Sequence, residues 1–279
     1  MPEPVIIIGM HRSGTATLTR LLEHLGVFMG HDQDPNAEAR FFLNLNRQMF
    51  AWCGARWDYP DGVRKVLSDE ALRDRLAQWL DDALSAPASR LYLGRWGWLR
   101  YRDPRALSRV WGWKDPRNTF TLPVWLRLFP EAKVVHIHRH GVDVAVSLQA
   151  RERRLRQETV ANFPAGDWRL TSPLCMDMHY GFRLWEQYIE EAAAVRKRVA
   201  PQHWLEIGYE AMLERPHAAA AQLAGWLGRE VTQAANDWAG RLHGERAFAF
   251  RRDAGLQAFA RQVADSSCLQ RYGYGENRS

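Results

Sequence analysis

The sequence predicts an α/β fold in which a central parallel sheet is flanked by helices on both faces. Three observations point there. Residues 5–8 read Val-Ile-Ile-Ile, an unbroken β-branched run of the kind that forms a strand buried on both faces. A glycine-bounded stretch, Gly9 to Gly14, follows at once and leads into leucines at helical spacing, Leu18, Leu21, Leu22 and Leu25. Further along, strand-like runs at 133–138 and 204–207 are separated by helical patterns. Strands that alternate with helices pair in parallel, because the helix supplies the crossover.

Each element follows from its residues. The first helix covers 15–25 and is stopped by Gly26. A second amphipathic helix is predicted over 68–84, with Ser68 as N-cap and Leu72, Leu76, Trp79, Leu80 and Leu84 on one face. Residues 110–113 form a short strand and 121–128 a helix. The strand at 133–138 runs into a helix from Val142 to about Gln157, then a loop over 157–173 marked by Pro164, Gly166 and Pro173. A long helix covers 176–199, and another runs from Pro216 to Leu227. The chain reads as one α/β domain spanning 1–279, with helical insertions.

Composition narrows the function classes. Cys53, Cys175 and Cys268 are odd in number and lack CxxC spacing, which argues against a disulfide framework or a zinc site. No basic segment with a long apolar run precedes the first strand, and no apolar stretch is long enough to span a bilayer. The expectation is a cytoplasmic protein. A formal net charge of +6 favours anionic ligands, either nucleic acid or a small, densely charged nucleotide. Among the thirteen tryptophans, Trp96, Trp98, Trp111 and Trp113 are candidates to stack on an acceptor, although such clusters are more often core.

The loop Gly9-Met10-His11-Arg12-Ser13-Gly14-Thr15-Ala16 is the most informative segment. Strand, glycine-bounded turn and helix converge backbone N–H groups and a helix N-terminus on an anion. The glycine spacing is that of a P-loop, G-x-x-x-x-G-K-[ST], which makes the sheet P-loop-type. Thr15 and Ala16 stand where the phosphate-binding lysine and the Mg²⁺-binding hydroxyl belong. The loop carries its cation inside instead, at Arg12, which suits a nucleotide that needs no metal. Lys114, in Trp111-Gly-Trp-Lys-Asp-Pro-Arg117, ends a short strand, and lies near the loop if the two strands are neighbours. Arg139 ends the next strand. Ser147 and Arg151 follow one helical turn apart, so they share a face and complete a second phosphate site with Arg139. Arg151 also belongs to a basic run with Arg153, Arg154 and Arg156, which would equally suit a solvated helix face.

In this order and spacing, the three clusters resemble the PAPS-dependent sulfotransferase family (PAPS is 3′-phosphoadenosine 5′-phosphosulfate). Gly9 to Thr15 resembles its 5′-phosphosulfate loop, and Arg139 with Ser147 its 3′-phosphate pair. Phe129-Pro-Glu-Ala-Lys133 is also similar. Lys114-Asp115-Pro116, Gly208-Tyr209-Glu210 and Leu269-Gln-Arg-Tyr-Gly-Tyr274 resemble the bacterial and tyrosylprotein-sulfotransferase-like branch, where a tyrosine-glutamate step lies near the cofactor phosphate. The chain departs from the family at Ala16, which replaces a Ser or Thr, and at His140, where an Asp often follows the arginine. It has no Arg-Lys-Gly segment to close over the 3′-phosphate, for which Arg251 or Arg252 are the substitutes.

The resemblance implies transfer of a sulfuryl group from PAPS to an acceptor hydroxyl without a metal. It implies Arg12 and Lys114 as charge stabilisers, and Arg12, Ser13, Gly14, Thr15, Ala16, Thr17, Arg139, Ser147, Arg151 and Tyr209 as donor-binding residues. The base is a carboxylate after the first helix: Glu38 first, then Asp34, then Asp32, with His11 as a further alternative. Glu38 opens an apparent helix whose other face carries Phe41, Phe42 and Leu45. The acceptor class stays open among small molecule, sugar, lipid and peptide. Two rivals remain: a P-loop kinase, which lacks its Lys-Ser/Thr pair here, and a nucleic-acid binder using 151–156, which has no recognition motif.

Overall fold

The computed structural model describes residues 2–161 and 171–275. Among these, four strands form one sheet: β1 (Val5–Ile8), β2 (Gly112–Lys114), β3 (Lys133–His138) and β4 (Trp204–Gly208). Their order is β2-β1-β3-β4 and every pairing is parallel. Pairing Ile7 with Lys114 and Ile8 with His136 brings the carboxyl ends of β1, β2 and β3 together.

Before β2 lie α1 (Thr15–His24), α2 (Arg40–Trp52), α3 (Asp61–Val66), α4 (Glu70–Ser85) and α5 (Arg90–Tyr101). Then come α6 (Asn118–Leu128), α7 (Gly141–Ala161) and α8 (Met178–Arg196) around β3. After β4 follow α9 (Tyr209–Glu214), α10 (Pro216–Leu227), α11 (Gln233–Ala239), α12 (Ala254–Gln262) and α13 (Ser267–Arg271). The alternation of β1 sorts the core. Ile6 and Ile8 face one apolar cluster with Phe42, Trp113, Trp125 and Trp185; Val5 and Ile7 face another with Leu18, Leu21, Leu22 and Leu223. Both faces are therefore covered, as all-parallel sheets require. No helix among the described residues is long and apolar enough to cross a membrane.

Several expectations are corrected. Asp69, not Ser68, caps α4: its carboxylate accepts from Leu72 N at 3.1 Å, whereas the Ser68 hydroxyl donates to Lys65 O at 2.6 Å. Residues 157–161, expected to open a loop, are helical, because α7 continues to Ala161. Pro164 and Gly166 lie outside the described residues, and Pro173 opens a 3₁₀ turn ending at Met176. Glu38 precedes its helix by two residues, since α2 starts at Arg40. Trp111 and Trp113 are core residues; Trp113 stacks on Phe42 with ring centroids 4.0 Å apart. Trp96 is exposed, and Trp98 lies under the Arg102 guanidinium.

Candidate active site

The loop between β1 and α1 closes tightly against its neighbours. Gly9 has φ +138°, and a Cβ there would meet Ile137 O at 2.3 Å. Gly9 N donates to the Thr119 hydroxyl at 3.0 Å, tying the loop to α6. Gly14 has φ +86°, and a Cβ there would lie 2.1 Å from the Tyr209 ring. A side chain at either position is excluded by both conformation and space. Tyr209, the first residue of α9, thus lies against the loop as the sequence implies. Arg12 adopts a left-handed conformation, φ 69°, uncommon for a residue with a Cβ. The first-turn N–H groups of Thr15, Ala16 and Thr17 have no carbonyl of their own helix to bond, as at every helix start.

Arg12, Ser147 and Arg139 come together. Arg12 Nε donates to Ser147 Oγ at 2.9 Å, and Arg139 donates to Arg12 O at 3.2 Å and Arg246 O at 2.9 Å. The Arg139 guanidinium stands 4.9 Å from the Tyr209 ring centre and 3.4 Å from Asp143. Asp143 also accepts from the N–H groups of Ala249 and Phe250, which folds the segment 244–252 over this corner. Arg251 instead lies over the Phe248 ring, while the backbone and charge of Arg246 adjoin Arg139 and Arg12. Desolvation, then the nearby Arg151, Arg139, Arg154 and Arg246, lower the pKa of Arg12. Several cations thus converge on one point, an arrangement that an anion would relieve. Arg151 is close enough to contribute to this field, although its own guanidinium bonds Glu152 at 2.6 Å and covers Trp57.

The other side of the loop holds Lys114 and Glu38. Lys114 Nζ donates to Glu38 Oε1 at 3.0 Å, with both side chains almost wholly buried. Burial raises the Glu38 pKa, and Lys114 opposes that rise. Asp34 and Asp32 serve the preceding turn. Asp34 Oδ1 accepts from Asn36 N and Glu38 N, and Asp32 pairs with Arg40 at 3.0 Å. Of the three carboxylates, Glu38 is the one in contact with Lys114. His11 lies among Arg117, Arg151, Lys114 and Arg12; burial, then those charges, hold its pKa well below the usual imidazole range.

Asn46, from α2, locks this side. Its amide donates to Asp115 Oδ2 (3.0 Å) and Asn118 Oδ1 (2.8 Å), and its carbonyl oxygen accepts from Thr121 Oγ1 (2.9 Å) and Trp125 Nε1 (3.0 Å). Asn118 in turn donates to Ile7 O at 3.0 Å. The helix that follows Glu38 is thereby fixed to the turn that follows Lys114. Sequence reasoning missed Asn46 and Arg246, whose partners lie far along the chain, and had Glu210 only through the family resemblance. Asp143 had a legible signal: an acid four residues after Arg139, at a helix start.

Residues 4–233 match the family model described as the sulfotransferase family. The chain belongs to this family. The proteins that this model describes are sulfotransferases. An uncharacterized protein of Aquifex aeolicus (strain VF5) is 28% identical over 149 residues, covering 52% of this chain and 16% of that protein; the chain thus spans only a small part of that relative's length. The fold matches the sulfotransferase domain from the curacin biosynthetic pathway with TM-score 0.53 at 15% identity, over 95% of this chain and 99% of that one. It also matches the sulfotransferase domain of the Synechococcus PCC 7002 olefin synthase with TM-score 0.52 at 18% identity, over 98% and 96%. These likenesses show the P-loop-like α/β fold of the sulfotransferases.

Proposed function

We propose that the enzyme moves a sulfuryl group from PAPS to an acceptor hydroxyl, without a metal, and releases adenosine 3′,5′-bisphosphate. One observation supports this most. Among the described residues, five buried side-chain polar atoms lack a hydrogen-bond partner, and three of them, His11 Nε2, Ser13 Oγ and Arg139 Nε, belong to the loop and its arginine. Such groups are costly unless a ligand satisfies them. Cations flank the loop on two sides, Lys114 on one and Arg139 with Arg12 on the other, which suits a nucleotide with two separated phosphate groups. An ATP-using kinase is not favoured, because Thr15 and Ala16 supply neither its lysine nor its metal hydroxyl.

In this reading Ser13 to Thr17 cradle the 5′-phosphosulfate, and Arg139, Ser147 and the Tyr209 ring hold the 3′-phosphate side, with Arg151 adding charge. Glu38 takes the acceptor proton, its raised pKa bringing it nearer to neutral pH. Asp34 sets the turn that presents Glu38. The acceptor oxygen forms its bond to sulfur as the bond from sulfur to the 5′-phosphate oxygen breaks. Lys114 and Arg12 neutralise the charge left on that oxygen, a task a metal performs in phosphoryl transfer. The acceptor is a hydroxyl compound of small-molecule, sugar, lipid or peptide type. The three cysteines are buried and free, which suits the cytoplasm.

Calorimetric titration tests the donor. Arg139→Ala should weaken binding of adenosine 3′,5′-bisphosphate by roughly ten- to a hundredfold, the worth of a charge-assisted hydrogen bond. Binding of adenosine 5′-phosphate should change far less. Equal losses for the two ligands would remove Arg139 from the 3′-phosphate.

A further inference from the structure

The segment around Tyr274 touches the end of β3, next to Arg139. Tyr274 OH donates to Glu210 Oε2 at 2.7 Å and lies 2.9 Å from His138 Nδ1. Because the phenol proton goes to the carboxylate, the hydroxyl oxygen accepts from His138, which places the proton of that neutral imidazole on Nδ1. The other carboxylate oxygen, Glu210 Oε1, accepts from His140 N at 2.9 Å. Tyr272 completes the contact: its ring stacks on His138 with centroids 3.9 Å apart, and its hydroxyl donates to Glu206 at 3.3 Å. The Tyr274 ring also stands 5.1 Å from that of His140.

These bonds form one chain, from the His138 imidazole to the Tyr274 hydroxyl, to the Glu210 carboxylate, to the His140 amide. Its two ends are the residues on either side of Arg139. Glu210 follows Tyr209, over whose ring the Arg139 guanidinium sits. A single phenol therefore ties the end of β3 to the start of α9, and both carry a face of the same guanidinium. Residues 272–274 lie beyond the segment 4–233 matched by the family model.

We infer that Tyr274 is a positioning residue: through Glu210 and His138 it grips the chain on both sides of Arg139 and so orients that guanidinium for the 3′-phosphate. The inference rests on the proposed role of Arg139. Tyr274 touches no reacting group, so its removal should act on recognition of one phosphate and leave the loop side with Lys114 and Glu38 unaffected.

Tyr274→Phe tests this, since it deletes one oxygen and keeps the ring packing. Titrated in the full-length enzyme, it should weaken adenosine 3′,5′-bisphosphate roughly fivefold and adenosine 5′-phosphate by less than about twofold, in keeping with positioning through intermediate residues. Glu210→Ala should match or exceed that loss, and Glu210→Gln should recover most of it, because the amide keeps an acceptor for His140 N. A merely structural role would weaken both nucleotides alike and would show no rescue by Gln. A second readout does not depend on the nucleotide: hydrogen exchange at the His140 amide should quicken in Tyr274→Phe. If that exchange is unchanged, or if the two nucleotides weaken equally while Arg139→Ala stays selective, the positioning role is overturned and the donor assignment stands. If Arg139→Ala is itself unselective, the donor assignment fails instead, and faster His140 exchange would still support the grip on the chain.

Discussion

At the scale of single residues, the proposed mechanism divides the chemistry between two charged side chains. Lys114 and Glu38 bond each other at 3.0 Å, but they should respond differently to the acceptor. In the proposed mechanism Lys114 addresses charge near the transferring sulfur, so Lys114→Ala should slow transfer to every acceptor, including one that ionises easily. As the proposed base, Glu38 matters only where a proton must leave. Glu38→Gln should cost about 10²–10⁴-fold with an aliphatic alcohol and much less with a phenol already ionised at the assay pH. Rates across acceptors of graded pKa check this, and a flat Glu38→Gln response would pass the role to His11. The gradient also separates Glu38 from Asp34, whose carboxylate is committed to the N–H groups of Asn36 and Glu38. The positions of Lys114, Arg139 and Ser147 were legible in the sequence from strand ends and a helix face, and that of Arg12 from the glycine-bounded loop between β1 and α1. The sequence ranked Glu38 ahead of Asp34 and Asp32, but the contact of Glu38 with Lys114 was not legible, because the two are 76 residues apart.

At the scale of elements, the strands and their connecting helices follow from local pattern. β3 runs over the predicted residues, and α10 starts at Pro216 as its N-terminal proline implies. The boundaries that differed are those set by tertiary contact. Nothing in residues 157–161 distinguishes a helix end from a loop, and the cap of α4 depends on which of two adjacent polar side chains, Ser68 or Asp69, reaches the first turn. The tie between α2 and the Lys114 turn was illegible for a related reason: Asn46 meets partners 69 to 79 residues away. Asn46 spends both amide protons and both lone-pair directions of its oxygen on buried groups. Asn46→Ala should therefore strand several polar atoms at once and destabilise the fold by about 3 kcal/mol, near the upper end for an unsatisfied buried group. Urea unfolding of the variant measures this. A loss under about 1 kcal/mol would mean that water or rearrangement satisfies Asp115 and Asn118, so that the helix and the turn are not rigidly tied.

At the scale of the whole molecule, burial of histidines gives the fold a pH dependence of definite sign. His138 and His140 flank Arg139 inside the clasp made by Tyr274, Glu210 and Phe250. Burial, then the neighbouring His136, lowers the His138 pKa to about 3; burial, then Arg251 and Arg139, lowers that of His140 to about 3. An unfolded histidine titrates near 6.5. The folded pKa is the depressed one, so the stability each neutral ring contributes is fully present above about pH 6.5. It is lost as pH falls from there toward 3, because the unfolded chain binds protons that the folded one refuses. Carboxylates with raised pKa act in the opposite sense, since the folded state protonates Glu38, Asp143 and Glu210 before the unfolded state does. The net slope of the enzyme alone would mix the two. A comparison with variants separates them, because the carboxylate contributions cancel in the difference. Below pH 6.5 the stability of the enzyme should fall about 1.4 kcal/mol per pH unit more steeply than that of His138→Gln, the worth of one proton. The double variant with His140→Gln should remove a second proton's slope. Urea midpoints at pH 7.5, 6.5 and 5.5 give these slopes directly. Parallel lines for enzyme and variants would show that the rings take up protons in the folded state, and the clasp around Arg139 would then have to admit charge or water.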